Sequence, residues 1–161
     1  MKKLYTIINI ILLLQTAVLG QLSGYQRDTI LSAHNFYRSV VGSPPLEWSD
    51  ELARKAQDFA NQIVSNPLLT HNTYGYGQNL YYTRDTSRIV NAVHYWSREQ
   101  IYYYGQVIND SNLIYFRHYT NIIWKDTRRI GCGLARLKSG IYVLVCFYDP
   151  KGNVPGERAV R

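Results

Sequence analysis

The sequence predicts a single α+β domain, and two patterns carry this prediction. In the first half of the chain, apolar residues recur at helical spacing in residues 28–41 and 49–64. Near the C-terminus, residues 130–137 and 141–148 form two strand-like runs around a short turn. Helices combined with such hairpins are typical of a mainly antiparallel sheet covered by helices. A chain of 161 residues is long enough to bury one hydrophobic core.

Sequence signals mark the ends of the predicted helices. We expect Asp28 to cap the first helix and Gly42 to end it. Ser49 precedes two acidic residues and is expected to cap the second helix, which Pro67 bounds. A third helix is predicted over residues 86–103 and a fourth over residues 118–125. An irregular loop over residues 102–116 is predicted between them.

The first 20 residues have the pattern of a secretory signal peptide. Two lysines precede an apolar run, and small residues occupy the positions before Gln21 that a signal peptidase reads. A membrane anchor is the alternative, but the run is shorter than the ~20 apolar residues of a membrane-spanning helix. We therefore predict a signal peptide over residues 1–20 and a secreted, extracellular domain over residues 21–161.

The C-terminal hairpin sets the two cysteines opposite each other. A three-residue loop with glycine in the left-handed conformation is a common connection between strands, and Gly140 fits that position. With Leu137 opposite Ile141, this loop pairs Cys132 with Cys146. The chain has no other cysteine, so in a secreted protein these two are expected to form a disulfide.

The chain is basic, with a formal net charge of +7. Many of its basic residues lie between residues 117 and 138. A surface for anionic partners, such as a membrane, is one interpretation. The basic residues are spread out rather than contiguous, which favours an ordinary solvated face. We predict a monomer without a nucleic-acid partner.

Several motifs follow one another along the chain. The most informative is Arg117-His118-Tyr119-Thr120-Asn121-Ile122-Ile123-Trp124, which leads into Gly131-Cys132-Gly133. The others are Ala33-His34-Asn35, Pro44-Pro45-Leu46, Gly77-Gln78-Asn79-Leu80 and Val145-Cys146. Together they resemble the CAP superfamily of cysteine-rich secretory proteins, antigen 5 and pathogenesis-related class 1 proteins. The resemblance runs from about residue 34 to 156 and implies a three-layer α-β-α sandwich of the CAP type with a mainly antiparallel central sheet.

The resemblance also implies a cleft that contains two histidines and two glutamates. His71 and His118 match the family's histidines, and Glu99 matches its second glutamate, whereas Gln78 replaces the first. Two imidazoles and a carboxylate form a suitable ligand set for zinc or another divalent ion. We therefore predict a weak metal site at His71 and His118, with Gln78 and Glu99 beside it. Ordinary hydrogen-bonded histidines are the alternative, and for His34 a structural role is expected.

Gln78 weakens the case for an enzyme. A carboxamide takes up no proton near neutral pH and carries no charge. Glu99 is then the remaining candidate general base for a metal-bound water. A metal-dependent hydrolase, such as a peptidase, that uses His71, His118 and Glu99 is the second functional hypothesis, and we favour a protein without enzymatic activity.

Aromatic residues around the irregular loop favour a lipid-binding function. They are Tyr102, Tyr103, Tyr104, Tyr115 and Phe116. Tyrosine has a large apolar face and a polar tip, which suits an amphipathic ligand. Certain fungal and plant CAP proteins bind sterols or fatty acids, and the resemblance implies that an aromatic loop in this region is their sterol element. The alternative is a surface loop whose aromatic residues pack on the domain.

The favoured function is therefore binding of an amphipathic lipid, a sterol before a fatty acid, in the extracellular space. A third hypothesis is an inert effector or defence protein that acts through a protein receptor. Asn109 begins the chain's single N-glycosylation sequon, within the same loop.

Overall fold

The computed structural model describes residues 21–69 and 74–161. The predicted signal peptide and His71 lie outside these described residues. Among the helices that are described, none is long and apolar enough to cross a membrane.

Helices and strands follow each other in a mixed order along the described chain. The helices are α1 (Gly24–Val40), α2 (Asp50–Ser65), α3 (Ala92–Ser97) and α4 (Arg117–Ile123). The strands are β1 (Glu47–Trp48), β2 (Gly77–Thr83), β3 (Arg129–Arg136) and β4 (Tyr142–Asp149). Short 3-10 helices cover Thr86–Asn91, Arg98–Tyr102 and Leu113–Tyr115.

The four strands form one sheet in the order β1-β3-β4-β2. Strand β4 pairs antiparallel with both β2 and β3, whereas the two-residue β1 pairs parallel with β3. The sheet is therefore mixed, with its antiparallel part dominant.

Helices cover both faces of the sheet and form the outer layers. On one face, α2 packs against β3 and β4 through Ala56, Phe59, Ala60, Ile63, Ala135, Val143, Val145 and Phe147. On the other face, α1, α3 and α4 pack against β3 and β4. The buried residues of this layer include Ile30, Val93, Trp96, Ile122, Leu134, Leu144 and Cys146. The predicted three-layer α-β-α sandwich is confirmed.

Two of the predicted helices differ from the structure. Helix α1 begins four residues early because Ser23 caps it, accepting a hydrogen bond from the Gln26 amide while the Gln26 side chain accepts from the Ser23 amide. The predicted helix over residues 86–103 is instead a 3-10 helix, the short α3 and a second 3-10 helix. The change of helix type after Ser97 accompanies a contact of Glu99 with α4, described below. Ser49 caps α2 as predicted.

The C-terminal hairpin has the predicted register. Gly140 adopts φ 83°, and the Leu137 amide donates to the Ile141 carbonyl at 2.7 Å. Cys132 lies opposite Cys146, and the two form a disulfide.

The glycines on either side of Cys132 allow α2 to rest directly on β3. A Cβ atom added to Gly131 would lie 2.2 Å from the Ala53 nitrogen, and one added to Gly133 would lie 2.3 Å from the Gln57 nitrogen. No real Cβ tolerates such distances to backbone atoms. The two positions therefore require glycine because the helix backbone occupies the space of a side chain.

A fully buried arginine joins α1 to the loop before β1, to the end of α4 and to the chain that follows α4. The Arg38 side chain donates to four carbonyl oxygens, those of Pro44, Ile122, Trp124 and Thr127, at 2.6 to 2.9 Å. Burial lowers the pKa of Arg38 to about 10, so the guanidinium remains charged at neutral pH. Arg38 thus acts as a structural bracket between the loop before β1 and the chain that follows α4.

Candidate functional site

His118 and Glu99 form the central contact of the candidate site. His118 lies in the first turn of α4, and its Nδ1 lies 2.6 Å from Glu99 Oε1. The second carboxylate oxygen accepts from the backbone amides of His118 and Tyr119, at 2.8 and 3.2 Å. Glu99 therefore fixes both the imidazole and the start of the helix that carries it. In this arrangement Nδ1–H donates to the carboxylate, and the other ring nitrogen, Nε2, is the one left for a ligand.

A polar network behind His118 joins α4 to the sheet. The Asn79 side chain donates to the His118 carbonyl at 3.0 Å and to the Tyr148 hydroxyl at 3.1 Å. The Tyr148 hydroxyl lies 2.8 Å from Nε2 of His34, whose Nδ1 lies 2.8 Å from the Ile30 carbonyl. These residues are buried, and every link pairs a donor with an acceptor. The network fixes the position of α4 and gives His34 the structural role expected from the sequence.

His118 opens onto a cleft of about 700 Å³ at the outer edge of β2. We call it the His118 cleft. Its walls come from three segments: β2 with the residue before it (Tyr76, Gly77, Gln78, Leu80, Tyr82), the region of α4 (Leu113, Arg117, His118, Asn121) and the loop after β4 (Lys151, Gly152, Asn153). The structure thus places Gln78 and His118 in one cleft, with Glu99 bonded to His118.

Side chains from the helical layer bond the outer edge of β2. The Asn121 side-chain amide donates to the Gln78 carbonyl at 3.1 Å, and the Trp96 indole donates to the Leu80 carbonyl at 3.0 Å. The Trp96 ring also stacks on the His118 imidazole, with 13° between the ring planes. The floor of the cleft is therefore a strand edge whose position is set by α3 and α4.

Comparison with known proteins identifies the family. The profile of the CAP family, described as the cysteine-rich secretory protein family, matches residues 31–148. The chain belongs to the CAP family. It is 37% identical to pathogenesis-related protein 1C of Nicotiana tabacum over 132 residues, which is 79% of this chain and 76% of that protein. It is 34% identical to pathogenesis-related protein 1 of Arabidopsis thaliana over 133 residues, 83% of this chain and 81% of that protein.

Solved structures show the same fold at lower sequence identity. The structure of BmVAL-1 matches with a TM-score of 0.74 at 24% identity, covering 88% of this chain and 84% of that one. A crystal structure of NaASP2 with Zn²⁺ matches with a TM-score of 0.76 at 22% identity, covering 88% and 87% of the two chains. At these identities the likeness concerns the fold.

Among the described residues, the part of the predicted donor set that this CAP protein presents is a poor fit to a divalent cation. No group of three or more His, Cys, Asp or Glu side chains that could hold a metal occurs among residues 21–69 and 74–161. Of the predicted set, His118 offers one ring nitrogen, Glu99 is engaged by three hydrogen bonds, and Gln78 has no charge. Arg117 and Lys151 add two positive charges to the same walls. The metal site at His71 and His118 stays a prediction, because His71 is not among the described residues.

The predicted lipid-binding residues of this CAP protein separate into two groups. Tyr103 and Phe116 are buried, and their rings pack together with centroids 5.1 Å apart. Both were expected to face a ligand, whereas in the structure both side chains lie in the hydrophobic core. Tyr102, Tyr104 and Tyr115 are exposed. Asn109, the candidate glycosylation site, bonds within its own exposed turn to Ser111 and Asn112.

Sequence reasoning did not connect Arg117, Asn121 and Lys151 with the cleft. Arg117 and Asn121 flank the HYT motif, so their place one helical turn from each other around His118 was readable from the sequence. Lys151 lies two residues after the end of β4, and β4 pairs with β2. That pairing, which only the structure gives, brings Lys151 to the cleft.

The buried His34 predicts acid sensitivity. Burial lowers the pKa of His34 from 6.5 to about 4, and burial raises the pKa of Tyr148, which therefore stays a hydroxyl donor to the imidazole. At a pH between 4 and 6.5, the His34 imidazole binds a proton in the unfolded chain but not in the folded chain. The free energy of unfolding should thus decrease as the pH falls from 6.5 to 4, by about 3 kcal/mol in total from this residue.

Denaturant unfolding at several pH values measures this effect. The matched variant is His34→Gln, which has no titrating group in this pH range. Its free energy of unfolding should change less steeply with pH than that of the wild type. Equal slopes in the two proteins would show that His34 is not the source of acid sensitivity.

Proposed function

We propose that this CAP protein is secreted and binds an amphipathic lipid, a sterol in particular, at an exposed aromatic surface. The surface consists of Ile101, Tyr102, Tyr104, Ile114 and Tyr115. These side chains have exposed fractions of 60%, 51%, 86%, 65% and 60%. Their joint exposure is the observation that carries the proposal, because large apolar side chains gathered on a monomer surface are typical of a binding site.

The two segments of the aromatic surface meet each other. The rings of Tyr102 and Tyr115 lie with centroids 6.4 Å apart, although the two residues are 13 positions apart in the sequence. A sterol has a rigid apolar body and one hydroxyl group. Tyrosine rings contact the body, and their hydroxyl tips match the polar end.

Buried neighbours hold the aromatic surface in place. Tyr103, between Tyr102 and Tyr104, packs on Phe116, and its hydroxyl accepts a hydrogen bond from the Ala159 amide at 2.8 Å. Phe116 in turn follows Tyr115 and is almost fully buried. Because each anchor is next to an exposed tyrosine, the surface is ordered before a ligand arrives, which lowers the entropic cost of binding.

The two other hypotheses have less support. A protein receptor would use the same exposed residues, but their apolar character favours a lipid. A metal-dependent hydrolase would need the cation that the described part of the His118 cleft fits poorly.

A paired-variant binding experiment tests the lipid proposal. Tyr102→Ala combined with Tyr115→Ala should weaken binding of a fluorescent sterol by at least about tenfold, because each aromatic contact is worth about 1.5–3 kcal/mol. The matched control is Tyr25→Ala with Phe36→Ala, which removes two exposed rings from α1. The control and His118→Ala should bind as the wild type does. Absence of sterol binding by the wild type, or equal losses in both double variants, would contradict the proposal.

A further inference from the structure

We propose that the His118 cleft binds an oxyanion, the carboxylate or phosphate group of a ligand, rather than a divalent cation. The cleft shares no lining residue with the aromatic surface, and the inference does not depend on sterol binding. It rests on the charges that line the cleft and on the way the backbone holds them.

The charged side chains that line the cleft are all potential cations. They are Arg117, His118 and Lys151, and no aspartate or glutamate of the described residues lines it. Within the described part of the chain, the Arg117 and Lys151 side chains make no ion pair or hydrogen bond. Two unpaired like charges facing one cavity produce a positive potential, and a low-dielectric concave wall strengthens it.

The nearest carboxylate is already engaged. Glu99 accepts from the His118 ring and from two backbone amides of α4. Its two oxygens are thus directed at the imidazole and at the start of α4, and Glu99 forms no ion pair with Arg117 or Lys151.

Hydrogen bonds tie the segments that carry the two cations. The Asn153 side chain donates to the Arg117 carbonyl at 2.9 Å and accepts from the Thr120 hydroxyl at 2.6 Å. Between Lys151 and Asn153, Gly152 is packed so closely on Trp124 that an added Cβ would lie 2.8 Å from the indole ring. The loop after β4 is thus fixed to α4, so the backbone segments that carry Arg117 and Lys151 keep a constant position relative to each other.

The neutral side chain of Gln78 affects the electrostatic potential of the cleft. A glutamate at this position would add a negative charge to the cleft wall and favour a cation. The neutral carboxamide leaves the potential positive. Arginine binds carboxylates and phosphates through two parallel hydrogen bonds, whereas lysine contributes a point charge. The donor set therefore matches an oxyanion, and the cleft has room for an organic group attached to it.

Calorimetric titration of the purified mature protein with inorganic phosphate tests the inference. Arg117→Gln combined with Lys151→Gln should weaken phosphate binding at least about tenfold. The matched control is Arg54→Gln with Lys138→Gln, which removes the same charge from positions that do not line the cleft. The control should bind phosphate within about twofold of the wild type. Circular dichroism establishes that each variant is folded.

Two further titrations complete the test. Gln78→Glu should weaken phosphate binding and strengthen Zn²⁺ binding, since it adds a negative charge and a carboxylate to the wall. A dodecyl phosphate that binds more tightly than inorganic phosphate supports a lipid headgroup as the natural oxyanion, and equal affinities support a soluble one. Undetectable phosphate binding by the wild type, or the same loss in the cleft variant and its control, overturns the inference. Neither result bears on sterol binding, which is measured separately at Tyr102 and Tyr115.

Discussion

Replacing Arg38 with methionine should lower the free energy of unfolding by about 4 kcal/mol. Arg38 is fully buried and is bonded to four carbonyl oxygens. Methionine fills a similar space but leaves the Pro44 and Ile122 carbonyls without this donor, and each unpaired buried group costs about 1–3 kcal/mol. The Trp124 and Thr127 carbonyls lose one of two donors, because they also accept from the Thr127 amide and the Arg128 side chain. The expected loss is a large part of the ~5–15 kcal/mol that stabilises an ordinary domain.

Urea unfolding of the wild type and of Arg38→Met measures this loss of stability. Arg38→Lys retains the charge but not the fork of donors, so its loss should be smaller than that of Arg38→Met and still substantial. Arg27→Met is the matched control, because Arg27 lies on the same helix and is largely exposed. It should change stability by less than about 0.5 kcal/mol. A methionine variant as stable as this control would refute the bracket role of Arg38.

Gly133→Ala should destabilise the domain by about 3 kcal/mol. The added methyl group would lie 2.3 Å from the backbone nitrogen of Gln57. Since neither a strand nor a helix backbone can rotate away as a side chain does, α2 must move from the sheet and loosen the core beneath it.

Thermal unfolding compares this variant with Gly24→Ala. A Cβ at Gly24, in the first turn of α1, meets no atom within 4 Å. Alanine there should be neutral or slightly stabilising, because it restricts the unfolded chain. If the two alanine variants had the same melting temperature, close packing of α2 on β3 would not be the reason for the glycine.

The fold was predictable where local chemistry determines it. The Ser49 cap, the left-handed Gly140 and the cysteine register follow from short stretches of sequence, and all occur in the structure. The α1 start was predicted late because Ser23 and Gln26 form a capping box ahead of Asp28. The broken helix over residues 86–103 was missed because its course depends on Glu99 reaching α4, a contact 19 residues away.

The candidate site was predictable only in part. Motif resemblance led to His118, Glu99 and Gln78, which the fold gathers around one cleft. Burial of Tyr103 and Phe116 was not readable from the sequence, since a tyrosine-rich segment shows no clear period that separates core from surface. Lys151 reaches the cleft through strand pairing, and pairing between distant strands is a property of the whole fold.

The side-chain bonds along β2 also affect how copies of this protein meet. Edge strands attract other strands because their unpaired backbone groups invite new hydrogen bonds. Here the Gln78 and Leu80 carbonyls already accept from Asn121 and Trp96, and the opposite edge of the sheet, β1, is only two residues long. A second chain approaching β2 finds these two acceptors occupied, which interrupts a continuous ladder. The same contacts that shape the cleft therefore protect this tyrosine-rich protein against edge-to-edge association of sheets through β2.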